Sequence, residues 1–474
     1  WDAVLEAQGY YVASQRMFQM DLMRRAGSGR LAAWFGARAL PLDKRRLEED
    51  WPTVVARAYA DLPDDERRAV DTYAAGVNRF IRERSGAWGL EYTLLRVSPE
   101  PWRGEDTLTV LLTMAEELSS SAPSEASEGR WREAMSDKAW ADFIFTVDHP
   151  WNVPMFGGPP RAPTLPERAL PPTPLGPDEG LSAAEQAALW RPGAGDDDAR
   201  SEDPSDEAHA ARADAVSEDR AAAVGASAPD PLTAFALPAE LRALLPLGVP
   251  RPAGPLAASN SWAYCGEAGC FLANDPHLGY GVPELWVALV LQRVDDLAAP
   301  PPPAGEDWAS GVAIPGIPGL VLGMNAHLAW AFTNTGEDVD DLLPETMSPD
   351  HTQYLARLDG ETEVWAPLIT RTATIEVKDQ RPVTVTVVST HRGPLLTREG
   401  LIVDHTRQWL PLKPGMLRVP VGLLHARSWE ELNHVLDGMR SPAQNVVMLN
   451  RQAKPRTMRL SPTLPLSRMV RGLA

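Results

Sequence analysis

The chain has 474 residues, a formal net charge of −19 and two cysteines. Its length suits two or three lobes at roughly 150 residues each. Its acidity argues against binding phosphate backbones, which needs clustered Lys and Arg, and two cysteines exclude multi-cysteine metal fingers while allowing at most one disulfide.

Along the chain, no stretch reaches the about 18 uninterrupted apolar residues of a membrane span, so a soluble globular protein is expected. Trp1 to Gly9 enter an amphipathic helical pattern with no initiator Met and no charged or apolar leader, the expectation for a chain truncated at its N-terminus. Helical spacing continues to about Trp140. Ala69, Tyr73, Val77 and Phe80 form one face behind Asp64, Asp65 and Glu66, whose acids suit a helix start. Between Pro154 and Pro255 the composition turns to Pro, Ala, Gly and acid, as in Asp196, Asp197 and Asp198, and reads as a solvated linker. Beyond Ala258 the pattern predicts strands over Ser261–Cys265, Phe271–Asn274, Leu285–Val294, Leu320–Met324, Thr372–Val377 and Val383–Val388. The order of helices, acidic linker and strands predicts an α+β protein, with residues 1–190 helical, 191–258 an acidic Pro/Ala-rich spacer and 259–474 strand-rich.

Cys265 and Cys270 flank the turn Gly266-Glu267-Ala268-Gly269, which predicts a hairpin with Ser261 facing Asn274, Asn260 facing Asp275, and His277 beside the Ala258–Ser259 bond. The opposed cysteines are expected to form a cross-strand disulfide if the protein is exported. A serine behind a dispensable linker can attack the preceding carbonyl, shift the acyl group from nitrogen to oxygen and, on hydrolysis, expose its own α-amine. That amine, with an ordinary pKa near 8, then serves as the base the hydroxyl lacks.

Four segments in order, Ala258-Ser259-Asn260-Ser261-Trp262, Leu272-Ala273-Asn274-Asp275-Pro276-His277-Leu278, Pro315-Gly316-Ile317-Pro318-Gly319 through Asn325, and Ala329-Trp330-Ala331-Phe332-Thr333-Asn334-Thr335-Gly336, resemble consecutive motifs of the penicillin acylase family of N-terminal-nucleophile hydrolases. The likeness extends to Ala7-Gln8-Gly9-Tyr10, His391-Arg392-Gly393-Pro394 and Pro442 to Val447. The resemblance implies a precursor that cuts itself before Ser259, an α/β heterodimer in a four-layer αββα fold, and amide hydrolysis of an N-acylated small molecule such as a penicillin, a cephalosporin side chain or an N-acyl homoserine lactone. It implies Ser259 as nucleophile, His277 as a positioning group, the Asn334 N–H as an oxyanion donor, and Leu118, Leu278, Leu322 and Phe332 as an acyl pocket. It implies a structural calcium at Glu125, Glu337, the Val339 carbonyl and Asp340, no organic cofactor, and a periplasmic or secreted location.

Departures from the family pattern are Met324, where many members carry His, and the segment after Asn450, where the family's Gly-containing hairpin is missing and a basic tail opens at Lys454. The strand-rich part is therefore expected to be incomplete at its C-terminus and to lack the second oxyanion donor. Two other readings are a metallohydrolase using Asp275, His277, Asp338, Asp340 and Asp341, and a non-catalytic remnant of an acylase.

Overall fold

The computed structural model describes residues 1–84, 86, 88–119, 258–266, 269–278, 283–294, 307–335, 340–356, 362–398, 401–409, 417–437, 439, 442–451 and 455–460. All belong to the unit comprising Trp1–Ala126 and Pro231–Ala474; the other unit, Ser127–Asp230, falls wholly outside them. The acidic spacer lies outside the described residues up to Ala258.

The helical spacing of the first part becomes α1 (Asp2–Ser28), α2 (Ala32–Phe35), a 3-10 turn at Gly36–Ala39, α3 (Leu40–Glu48), α4 (Trp51–Ala60), α5 (Asp64–Glu83), α6 (Leu90–Leu95) and α7 (Gly104–Ser119). α5 starts at the predicted acids, which favour the positive end of the helix dipole, and buries Ala69, Tyr73, Val77 and Phe80 as the spacing required. α1 is long and loses helical geometry at Arg16 (φ −136°, ψ 17°). Among the described residues no helix is long and apolar enough to cross a membrane.

α1 and α5 cross with their backbones nearly touching, because Gly9 and Gly76 sit at the contact. A Cβ on Gly76 would lie 1.9 Å from the Glu6 carbonyl oxygen, and one on Gly9 would lie 2.2 Å from that of Tyr73. Backbone cannot yield as a flexible side chain can, so Gly76→Ala must push the helices apart. We expect a loss of about 3 kcal/mol, at the upper end for overpacking. A urea midpoint unchanged from the parent would remove close approach as the reason for glycine there.

The strands of the second part are β1 (Ala258–Gly266), β2 (Gly269–His277), β3 (Val287–Gln292), β4 (Trp308–Ala313), β5 (Leu322–Asn325), β6 (Leu328–Asn334), β7 (Asp340–Pro344), β8 (Gln353–Ala356), β9 (Val364–Pro367), β10 (Ile369–Ile375), β11 (Val383–Ser389), β12 (Leu395–Arg398), β13 (Leu401–Trp409), β14 (Gln444–Asn450) and β15 (Pro455–Leu460). Two short helices, α8 (Arg418–Gly422) and α9 (Trp429–Leu436), precede β14. All described pairings are antiparallel, and the largest sheet runs β15-β14-β6-β5-β4-β3. After Asn450, where the family's Gly-containing hairpin is missing, β14 pairs antiparallel with β15, Gln444 opposite Leu460 and Leu449 opposite Pro455.

One face of the large sheet carries the core. Ala309, Trp330, Phe332, Val446 and Met448 pack with Leu5 of α1, Ala69 of α5 and Leu432 of α9, all buried. Polar ties fix the helices to this half. The Gln8 amide donates to the Gly319 carbonyl at 2.8 Å and accepts the Gly319 N–H at 2.9 Å, and the Tyr73 hydroxyl accepts the Gly316 N–H at 3.1 Å. Gly319, at φ +85°, leaves no room for a side chain, since its Cβ would meet the Pro420 carbonyl oxygen at 2.1 Å. The motif at Gln8-Gly9 and the motif that contains Gly319 are thus two sides of one contact. Met324 does not face the core; it is about half exposed on β5.

Candidate active site

The β1–β2 hairpin has the predicted register: Asn260 is opposite Asp275, Ser261 opposite Asn274, Ala258 opposite His277, and Cys265 opposite Cys270, with which it forms a disulfide. Ser259 is opposite Pro276, which has no N–H to give the ladder.

Opposed residues share a face and successive ones alternate, so two faces follow. Asn260, Trp262 and Tyr264, with Phe271, Asp275 and His277, form one face, and all six are exposed. Ser259, Ser261, Leu272 and Asn274 form the other, and all four are half-buried. His277 therefore neighbours Ser259 along the ladder while its ring turns to the other side. There Nε2 lies 2.9 Å from Asp275 Oδ2 and 3.5 Å from Asn260 Nδ2. The histidine holds the residue that follows Ser259, not the serine hydroxyl itself.

The half-buried face meets β6 through Asn274. Its Nδ2 donates to the Phe332 carbonyl at 3.0 Å and to the Asn260 carbonyl at 3.1 Å, and its Oδ1 accepts the Phe332 N–H at 2.8 Å. The side chain pairs with β6 as a neighbouring strand would. This fixes a direction, because main-chain N–H groups alternate from edge to edge along a strand. Phe332 presents its N–H and carbonyl to the hairpin, so the Asn334 N–H points to that edge too. Thr335 confirms the parity, donating its N–H the other way to the Ala443 carbonyl at 3.1 Å.

The Asn334 side chain is used elsewhere. Its Nδ2 donates to the Leu118 carbonyl at 2.8 Å, near the end of α7, and its Oδ1 accepts from Gln444 Nε2 at 3.1 Å. Leu118 and Asn334, more than two hundred positions apart, are thereby adjacent. The four expected pocket residues do not form one cluster. Leu322 and Phe332 are buried in the core under the large sheet, whereas Leu118 and Leu278 are partly buried against the helical core around Tyr73 and Trp102. Trp286, Leu289 and Val321 pack against both cores.

Glu125, Glu337 and Val339 of the expected calcium set lie outside the described residues; Asp340 opens β7 opposite Trp409. For the metallohydrolase reading, Asp275 and His277 are together, Asp338 is outside the described residues, and Asp340 and Asp341 are on β7. Among the described residues no group of three His, Cys, Asp or Glu could hold a metal ion. An open depression on the helical side, lined by Glu6, Arg67, Asp71 and neighbours, contains no expected site residue.

Residues 1–454 match the penicillin amidase family. The chain belongs to this family. It is similar to the acyl-homoserine lactone acylase QuiP of Pseudomonas aeruginosa, 26% identical over 440 residues, which cover 92% of this chain and 42% of that protein. It is also similar to penicillin G acylase of Escherichia coli, 25% identical over 439 residues covering 89% and 47%. A solved structure, the thermostable penicillin G acylase from Alcaligenes faecalis, aligns with 32% of this chain and 27% of its own at 19% identity and a TM-score of 0.28. The chain spans under half the length of these curated relatives.

In this penicillin amidase family member, sequence reasoning missed two polar residues at the site, Asn274 and Gln444. By sequence Asn274 is the partner of Ser261 and part of a motif, and Gln444 is part of a motif, and neither receives a role. Strand alternation on β2 puts Asn274 on the same face as Ser259, a usable signal. What it touches depends on how the hairpin lies on β6, which local pattern does not encode.

Proposed function

We propose that the chain is a self-processing amidohydrolase whose nucleophile is Ser259. In the first reaction Ser259 Oγ attacks the Ala258 carbonyl carbon and the C–N bond breaks. The nitrogen takes up a proton and becomes the free α-amine, and water then cleaves the resulting ester to leave Ala258 as a carboxylate. In the second, the α-amine takes the hydroxyl proton as Oγ attacks a substrate amide. The amine product departs with that proton, and water releases the acyl group.

The observation that carries this reading is the juxtaposition of the hairpin serine with a strand whose Asn334 N–H points to the hairpin edge. An N–H so aimed is what a developing oxyanion needs. His277 acts by holding Asn260. The acyl-homoserine lactone and penicillin acylases among the relatives support an N-acylated small molecule as substrate, with an apolar acyl group set against Leu118, Leu278, Leu322 and Phe332. The four-layer arrangement, the heterodimer, a calcium at Glu125, Glu337, Val339 and Asp340, and export belong to the same proposal.

The test is mass measurement of the expressed chain under denaturing conditions, followed by hydrolysis of N-acyl homoserine lactones and of phenylacetyl amides. A folded chain that stays uncut would sink the reading. We also expect Ser259→Cys to cut itself while hydrolysing amides at least roughly tenfold more slowly, since the larger, better-leaving thiol upsets attack on an amide. Equal amide turnover by the two proteins would exclude Ser259 as the attacking group.

A further inference from the structure

We propose that Asn274 is a positioning residue for both reactions, its side-chain amide setting the spacing between the strand of Ser259 and the strand of Asn334. The inference rests on the reading above, because it concerns the same site. The amide holds three main-chain groups at once: the carbonyl of Asn260, one residue after the nucleophile, and the N–H and carbonyl of Phe332, two residues before Asn334. A strand rises about 3.3 Å per residue, so both ties lie within about two residues of the reacting groups. Two parallel bonds to one residue fix orientation as well as distance. Among the described residues no ladder does this work, because the hairpin is a separate two-stranded sheet while β6 belongs to the six-stranded one. His277 and Asp275 reinforce the exposed face of the hairpin but make no bond to β6 among the described residues.

Asparagine is required by the donor and acceptor pattern. Aspartate keeps the shape and an acceptor for the Phe332 N–H, but as a carboxylate it loses both donated bonds and faces the carbonyl oxygens of Asn260 and Phe332. In its protonated form it regains one donor. Those two oxygens favour the protonated form, so the defect of Asn274→Asp recedes as pH falls.

A control exists in the same chain. Asn78 makes the same bidentate contact within the helical part, on neither the hairpin nor β6, donating from Nδ2 to the Trp102 carbonyl at 2.8 Å and accepting the Trp102 N–H at Oδ1 at 2.7 Å. Asn78→Asp therefore loses a donated bond of the same kind without touching the hairpin or β6.

The experiment follows self-cleavage of the full chain by pulse-chase from pH 5 to 8 in the parent, Asn274→Asp and Asn78→Asp, counting only folded, protease-resistant precursor. The expected result is a roughly hundredfold slower first-order rate for Asn274→Asp at pH 8, as for a displacement of about 1 Å at a reacting centre. Its ratio to the parent should rise toward pH 5, and Asn78→Asp should cut within about threefold of the parent. Asn274→Gln, which keeps the donors and acceptor on a longer arm, should be slow at every pH. Parent-like cutting by Asn274→Asp at pH 8 overturns the inference and leaves Ser259 in place, as does equal slowing of both Asp variants. An uncut parent overturns the reading of the chain as self-processing, and this inference with it. If Asn274→Asp yields no folded precursor, the Gln variant decides alone, and parent-like cutting by it overturns the assignment.

Discussion

A Ser259→Ala chain should remain a single species of 51.7 kDa while the parent separates into two. The substitution removes one oxygen from a half-buried strand position, and among the described residues the Ser259 hydroxyl makes no hydrogen bond to the rest of the site. The fold should therefore survive, with an unfolding free energy within about 1 kcal/mol of the parent, as for substitutions away from cavities and networks. The reaction loses its attacking atom, and His277, whose ring is turned away with Asp275, is not placed to replace it. A loss on the order of 10³-fold or more in cutting rate is expected, in line with removal of a nucleophile elsewhere. Mass spectrometry of folded protein after prolonged incubation checks this. A new N-terminus at position 259 in the Ala variant would show that another group does the cutting.

The same uncut background permits a reversible measurement of the largest stability effect, at Arg24. The guanidinium is almost fully buried between two carboxylates. It bonds Asp21 through Nε at 2.6 Å and through a second, shorter contact, and Asp106 Oδ2 at 3.1 Å; it also donates to the carbonyls of Pro101 at 3.0 Å and Glu100 at 2.8 Å. It lies over the Trp102 ring, 5.1 Å from the centroid. Asp21 in turn accepts the Tyr92 hydroxyl at 2.5 Å. Burial pushes the Asp21 carboxyl up, against the pull of Arg24 and the Tyr92 hydroxyl.

Arg24→Met fills similar space but strands two buried carboxylates, and breaking a buried pair by removing one partner costs about 3 to 5 kcal/mol. Against a total of about 5 to 15 kcal/mol, that is a large share of the stability. The pH dependence has a definite sign. Without Arg24 the folded pKa of Asp21 rises further above its unfolded value, so the native state binds more protons than the unfolded one at mildly acidic pH. The deficit relative to the parent should thus be smaller at pH 5 than at pH 8. Urea unfolding of Ser259→Ala with and without Arg24→Met measures it. A deficit that grew as pH fell would mean that the stranded carboxylates are not its source.

Asp21 and Arg24 are legible as an i,i+3 pair, but not as a buried one. The sequence alone determined what depends on neighbours along the chain. α5 follows from its apolar spacing and first-turn acids, and the hairpin register follows from two cysteines around a turn, because a strand's period of two leaves one pairing that keeps those residues opposed. The order of motifs placed the chain in its family. The tertiary structure decided what depends on contacts between distant segments. The Gln8 amide on Gly319, the Asn334 amide on Leu118 and the Asn274 amide on Phe332 each join a side chain to backbone many residues away. A main-chain N–H or carbonyl looks the same in every residue, so no residue type marks it as a partner. The same reason hid the facing of His277. Its place beside Ser259 was readable, but the side its ring takes follows from strand alternation together with which hairpin face lies on β6.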